Sequence, residues 1–552
     1  MVAMRHKGLL WWLAVAVLVA RGLSAGTIEV SPNGDDAGRG TAERPLKTIR
    51  KAVSMAKPGD TIAIRAGTYR EGPIVVARGG TAQAPLIIQG AKDAVVMIKG
   101  SKIVTGWQAT PEGRWKASDW PINSQQLFVD GKPLQQIGVQ SPWHTTKAGD
   151  GPRMCLPPVG EDLNDVSPGC FYYETATKSL YCTLRDRSSP NEHEMEASVA
   201  DFVLDGEDAS FVTLRNLTFM HNNGTAKGAC SSLVRTSGSG WTVEDCTFAY
   251  GDFAGLGLSG EKHVVRRSEF LNNGDQGLSV NGSDAAHKYK WYRERPPQNI
   301  LLEDLVVKGN NYRRFYEHWE AGGMKLIPAV HAVTVRRCQV EENWGPGIWL
   351  DGALGDNVIE DNFVRNNRTG IFYEISLPVE GDRFGASIRN NRVIGSQHQG
   401  IYISASSGAI VQNNTCFRNG WDIVVHGMPR NDLGFDLQLK DNVVKDNIVC
   451  GCHADVIVFV GDNASNNVVD GNFYADLGDD RGEPKADHRG VAFGAVKDSG
   501  YDAAHRDLGD VFSRCGFEAH GTSGDPRWKG TAAGDFGLEA DSPAKGKGWQ
   551  SR

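Results

Sequence analysis

The sequence predicts an all-β chain wound as a right-handed parallel β-helix, with an N-terminal capping helix and an inserted β-rich subdomain. Two observations carry this reading. Short segments of alternating apolar residues recur along the middle of the 552-residue chain: VEDCTF to Phe248, VRRSEF to Phe270, LLEDLVV to Val307, VRRCQV to Val340, VIEDNFV to Val364, SIRNNRV to Val393 and IVQNNTC to Cys416. Their shared turn position is Cys246, Ser268, Leu305, Cys338, Asn362, Asn391 and Asn414, at intervals of 22, 37, 33, 24, 29 and 23 residues. Strand-like repeats at such intervals, with no helical pattern between them, specify stacked coils about 4.8 Å apart, the longer intervals being coils that carry loops. A propeller would need hairpin turns several times per repeat, and the sequence does not supply them.

The second observation is another repeat within the same coils. Gly347-Ile-Trp-Leu-Asp351 aligns with Gly370-Ile-Phe-Tyr-Glu374, Gly400-Ile-Tyr-Ile-Ser404 and Asp422-Ile-Val-Val-His426, and earlier with Gly255-Leu-Gly-Leu-Ser259 and Gly277-Leu-Ser-Val-Asn281. Ala321-Gly-Gly-Met-Lys325 falls between them. Period-two alternation turns the aliphatic residues inward. It sets Ser259, Asn281, Lys325, Asp351, Glu374, Ser404 and His426 as a column on the outer face.

The remaining elements follow in chain order. Residues 1–25 read as a signal peptide: Arg5 and Lys7, an apolar run from Leu9 to Ala20, then Ser24 and Ala25, with cleavage after Ala25. That run is short for a bilayer span, so no membrane association is expected after cleavage and the chain is expected to be secreted or periplasmic. Residues 26–100 form the cap and first coils, with a helix over Pro45–Ala56 presenting Leu46, Ile49, Ala52 and Val53 on one face and stopped by Pro58-Gly59-Asp60. The repeat fades over 101–200, where Trp107, Trp115, Trp120 and Trp143, a hairpin at Phe128–Lys132, and strands near Tyr172 and Leu180 predict the inserted subdomain. Residues 201–480 are the main helix and 481–552 a closing segment.

The net charge of −7 comes with no basic run and no phosphate-cradling glycine loop, so no nucleic-acid partner is expected. Of the ten cysteines, Cys155, Cys170 and Cys182 lie in one region where export permits a disulfide. Cys450 and Cys452 make a lone C-x-C that reads as buried or bonded rather than metal-binding.

The outer column carries the chemistry. Asp351 and Glu374 are one coil apart, which predicts carboxyl groups about 5–6 Å from each other, the spacing of a retaining glycosidase. Lys325, one coil from Asp351 on the side away from Glu374, is expected to keep Asp351 ionised. Asp351 is thereby the candidate nucleophile and Glu374 the candidate acid/base. Trp349, Phe372 and Tyr402 share that face, and Asn281 and His426 extend it. The loops before Lys325 add Tyr289, Trp291, Tyr292, Tyr312, Tyr316, His318 and Trp319, with Arg293, Arg295, Arg313 and Arg314. Aromatic rings beside carboxylates suit sugar stacking, and arginines suit a uronate carboxylate. Half of these aromatics are expected only to pack the loops. A carbohydrate is the expected partner.

The run Val30-Ser-Pro-Asn-Gly-Asp35, with Pro45-Leu-Lys-Thr-Ile49 and Pro58-Gly-Asp-Thr-Ile62, resembles the opening of exported bacterial β-helix proteins of the pectate-lyase-like superfamily. The stretch from Gly322-Gly-Met-Lys325 through Trp349-Leu-Asp351 to Phe372-Tyr-Glu374 resembles the active-site coils of glycoside hydrolase family 120, the β-xylosidase group, which implies an Asp nucleophile and a Glu acid/base at these positions. Ile375-Ser-Leu-Pro378 departs from that family's pattern. Two other classes stay open: a polysaccharide lyase or uronate epimerase using Lys325, His426 or His318 as base, and a non-catalytic glycan-binding β-helix. No cofactor is expected. Ca²⁺ would suit a lyase, but the sequence offers it only the adjacent carboxylate pair.

Overall fold

The computed structural model describes residues 25–138, 159–224, 231–282, 298–318, 321–427, 438–450, 454–459, 464–475, 491–494, 508–531 and 535–551. The signal-peptide segment and Trp143, Cys155, Tyr289, Trp291, Tyr292, Arg293, Arg295, Trp319 and Cys452 lie outside them.

Three long parallel sheets of 13, 12 and 13 strands run the length of the molecule, each coil giving one strand to each sheet. The repeats predict about ten coils, and the described residues form twelve to thirteen. The additional coils lie at the two ends, where the pattern is weakest. Inward residues stack in files. Phe219, Phe248 and Phe270 stack with ring centroids 5.3 and 5.0 Å apart. Val307, Val340, Val364, Val393, Cys416 and Val449 continue the file in register. Because every coil places an apolar side chain at the same depth, one continuous core forms along the axis.

The turn column is a hydrogen-bonded ladder. Asn362, Asn391, Asn414, Asn447 and Asn472 each pass the backbone N–H and the side-chain amide to the Oδ1 of the next, at 2.8–3.0 Å. Asn472 ends on the Glu518 carboxylate, 3.1 and 2.6 Å away. Each asparagine thus satisfies a buried turn donor that no strand can reach. Asn391 is fully buried, so Asn391→Ala orphans groups on both neighbours and is expected to cost about 1–3 kcal/mol for each orphaned group. A urea midpoint unchanged from the parent chain would contradict this.

Helix α1, Ile49–Met55, covers the first coil with Ile49 and Ala52 buried. It is shorter than the predicted Pro45–Ala56. Leu46 instead bridges Val30 as an extended residue, and Thr48 is the N-cap. The Glu71 carboxylate accepts from the N–H groups of Ile49 and Arg50 at 2.8 and 3.0 Å, which fixes the start. Helix α2, Leu508–Cys515, closes the other end, with Val511 in the core.

Between Ser101 and Ser198 the chain leaves the helix for two small sheets, largely antiparallel, with their own apolar cluster around Trp107, Phe171, Leu180 and Met195. The hairpin at Phe128–Lys132 is present. Val129 pairs with Lys132, and Asp130 and Gly131 both take positive φ, as a type I′ turn requires. Coil stacking is uninterrupted by this excursion. Leu86–Gly90 pairs directly with Val212–Arg215, and Val96–Lys99 with Thr218–Met220. Cys170 and Cys182 are buried free thiols.

Candidate functional site

Six consecutive strands of the 12-stranded sheet carry the site: β1 Gln276–Asn281, β2 Gly322–Ile327, β3 Pro346–Asp351, β4 Thr369–Glu374, β5 Gln399–Ser404 and β6 Trp421–His426. As alternation requires, Ile348, Leu350, Ile371 and Tyr373 are fully buried in the core, while the residues between them face outward.

Asp351 pairs with Glu374, Glu374 with Ser404 and Ser404 with His426. The two carboxylates therefore stand on adjacent rungs, as expected. Lys325 does not stand below Asp351. It pairs with Trp349, and continuing that register sets Ile327 against Asp351. Asn281 likewise pairs with Ile327, not with Lys325. The outer face thus holds two rows. One runs Asn281, Ile327, Asp351, Glu374, Ser404, His426, and the other Ser279, Lys325, Trp349, Phe372, Tyr402, Val424.

Lys325 still serves Asp351, diagonally. Its Nζ lies 3.0 Å from Asp351 Oδ2, the lysine side chain being 2% exposed and the aspartate 13%. A buried ammonium needs this partner, since an uncompensated charge in the sheet would be very costly. The same Nζ sits over the Trp349 ring, 3.7 Å from its centroid. Trp349 Nε1–H donates to Glu374 Oε2 at 3.2 Å. Asp351 therefore answers to a cation and Glu374 to a neutral donor.

The aromatic residues form a ladder. Trp349 stacks on Phe372 at 5.3 Å, Phe372 on Tyr402 at 4.7 Å, and Tyr402 on His426 at 6.3 Å. The expectation that these ring faces await a sugar needs correction. The faces are occupied by neighbouring rungs, Trp349 is buried, and the ladder presents ring edges. The Tyr402 hydroxyl lies 3.0 Å from His426 Nδ1, and burial lowers the His426 pKa, which keeps the imidazole neutral near pH 7.

The loop aromatics divide. Tyr312 shares a hydrogen bond with Gln126, Arg313 binds Asp252 and Gln136, and Arg314 covers Trp344, so these three pack loop and insertion onto the helix. His318 is exposed, 3.8 Å from Glu317, which Arg368 clasps. That cluster belongs to the N-terminal ends of the strands, whereas Asp351 and Glu374 end theirs. Arg368 and Glu374 are six residues apart, roughly 20 Å of strand, so His318 is grouped away from the carboxylates.

Sequence reasoning missed the second-row role of Trp349 and the serines behind the site. Ser376 Oγ donates to the Glu374 carbonyl at 2.6 Å and accepts from the Ala353 N–H at 2.8 Å, tying the ends of β3 and β4 together. The sole sequence signal was a serine at a matching place one coil on, Ser406, whose Oγ accepts from Ser376 N–H.

Among the described residues, no group of three or more His, Cys, Asp or Glu is arranged to hold a metal ion, and no helix is long and apolar enough to cross a membrane. Residues 202–384 match the family model "Right handed beta helix region", 298–476 match "Periplasmic copper-binding protein (NosD)", and 32–89 match a protein family of unknown function. The uncharacterized protein YwoF of Bacillus subtilis (strain 168) is 23% identical over 535 residues, covering 94% of this chain and 91% of its own. Pectate lyase PEL9 of Emericella nidulans is 37% identical over 381 residues, covering 64% of this chain and 76% of its own. The solved structure of XylC with xylose superposes with a TM-score of 0.55 at 17% identity, over 77% of this chain and 75% of that one. With coil stacking, family model and PEL9 in agreement, the chain belongs to the pectate-lyase-like superfamily of right-handed parallel β-helix proteins, a carbohydrate-active group that includes this lyase.

Proposed function

We propose that this chain is an extracytoplasmic glycoside hydrolase acting with net retention on plant or algal poly- or oligosaccharides. The observation that carries it is the pair Asp351 and Glu374 on adjacent rungs, one joined to an ammonium and the other to an indole N–H. Adjacent rungs stand about 4.8 Å apart, nearer the spacing of carboxylate pairs that work by direct attack than of pairs that hold a water between them and the sugar. Asp351, paired with Lys325, attacks the anomeric carbon as Glu374 gives its proton to the departing glycosidic oxygen. Glu374 then takes a proton from water, which attacks the same carbon and releases Asp351. XylC holds xylose, so pentosides are the first substrates to try.

A second reading has a specific observation behind it, the pectate lyase relative. In a lyase, Lys325 would remove the proton next to a uronate carboxyl, and the product would be an unsaturated uronide. Incubation with aryl glycosides and with uronate polysaccharides, scoring reducing ends and unsaturated products separately, separates the two. Lys325→Ala sharpens the test. In the hydrolase it supports Asp351, so its loss is expected to cost less activity than loss of either carboxylate. A lysine variant as inactive as the Asp351 variant would favour the lyase.

A further inference from the structure

The indole of Trp349 occupies an unusual position. One face carries the Lys325 ammonium, 3.7 Å from the ring centroid, and the other stacks on Phe372 at 5.3 Å, so the ring stands between Lys325 and the rung that bears Glu374. Its Nε1–H reaches Glu374 Oε2 at 3.2 Å. The residue is 2% exposed, so it is not placed to meet a sugar face-on. We propose that Trp349 is a positioning residue that decides which oxygen of Glu374 carries the catalytic proton and keeps the lysine charge assigned to Asp351. This rests on the retaining-hydrolase reading.

The argument is one of donors and acceptors. A carboxyl oxygen that accepts an N–H plays the carbonyl role, so the proton of neutral Glu374 is directed to its other oxygen. A fixed proton position is what general acid catalysis needs, because the leaving oxygen must lie within hydrogen-bond reach of that proton. The cation on the far face of the ring also matters. Without the ring, Lys325, one rung from Asp351 and two from Glu374, would face the second carboxylate as well as the first and would favour the ionised form of both. A lysine on the ring face and Asp351 at 3.0 Å hold it to one of them. The charged or titratable groups described on the outer face of the surrounding rungs are Asp351 one rung below Glu374 and Lys325 two below, with Tyr402 one rung above and His426 two above.

Trp349→Phe tests this, since it keeps an aromatic face for both Lys325 and Phe372 while removing the N–H together with the indole's second ring. Phe372→Leu is the control, disturbing the stack while leaving the N–H. With the hydrolase reading in place, Trp349→Phe is expected to lower kcat about 10- to 100-fold on glycosides with poor leaving groups and less than threefold on activated aryl glycosides, with KM little changed. Independently of turnover, carboxyl ¹³C titration of the full chain should move the Glu374 midpoint upward, because a hydrogen bond to the ionised form is lost. Phe372→Leu should give neither signature. A loss in Trp349→Phe that is equal for all leaving groups, or an unmoved Glu374 titration, overturns the proposal. If the parent chain hydrolyses no glycoside but the Glu374 midpoint still moves, the functional reading fails and the positioning role stands.

Discussion

Replacing Asp351 by Asn is expected to lower kcat/KM by about 10⁴-fold or more, which is about 5 kcal/mol of lost transition-state stabilisation. Asparagine keeps the shape and an acceptor for Lys325 Nζ, now 3.0 Å from Asp351 Oδ2, so the coil is expected to stay folded. It cannot form the glycosyl ester, and the covalent step disappears. Glu374→Gln makes a different signature. The first step needs little protonation when the leaving group is good, so activated aryl glycosides should still form the intermediate. Azide should then restore turnover by attacking it without general-base help. Steady-state kinetics on a series of leaving groups, with and without azide, checks both variants. An Asp351→Asn chain retaining a tenth of parent activity would remove Asp351 from the nucleophile's role.

The second large effect is structural and far from the carboxylates. Glu196, on the last strand of the insertion, is fully buried and meets Lys99 Nζ at 2.7 Å, Arg70 Nη1 at 2.7 Å, Ser101 Oγ at 2.6 Å and His221 Nδ1 at 3.2 Å. Arg70, Lys99 and His221 come from three successive coils, and Phe128 of the insertion stacks on His221 at 3.8 Å. One carboxylate thus fastens the insertion to the helix. Glu196→Ala leaves the buried Lys99 without its anion and Arg70 with only the exposed Glu194, and is expected to cost about 3–5 kcal/mol. The readouts are the urea midpoint and protease cleavage between residues 101 and 198, and a variant as resistant as the parent would contradict the account. The pH dependence follows from the same contacts. Burial raises the Glu196 pKa, but the bonds from His221, Arg70, Lys99 and Ser101 outweigh it and hold the group well below the ordinary carboxylate range. A depressed folded pKa contributes stability that is fully present above the unfolded value, about 4.3, and is lost as pH falls through the folded one. Glu196 therefore still holds the insertion at mildly acidic pH, whereas His221, whose pKa burial lowers, weakens the docking as pH falls below its unfolded value of about 6.5.

What the sequence made legible was whatever repeats. The inward files, the turn asparagines and the adjacency of Asp351 and Glu374 all follow from one period and one alternation. Lys325 shows where that reasoning stops. Its segment follows long loops and was aligned on its last residue, two positions out of register. A slip of two preserves the face, because strand side chains have period two, so Lys325 was correctly set outward and wrongly set beside its neighbours. The rings of Trp349, Phe372 and Tyr402 were also correctly placed on the outer face. Their mutual stacking was not foreseen, because it depends on the 4.8 Å rise between rungs rather than on any pattern within one. The Glu196 anchor had no signal at all, its partners lying 126, 97, 95 and 25 residues away in the chain.

The central claim is that two carboxylates on neighbouring rungs perform a double displacement. It is tested most directly by following the anomeric proton of the first-formed sugar by ¹H NMR during turnover of a glycoside of defined configuration. The account predicts that the product appears first in the configuration of the substrate and only later mutarotates. First appearance of the inverted anomer, or of the vinylic proton of an unsaturated uronide, would contradict it.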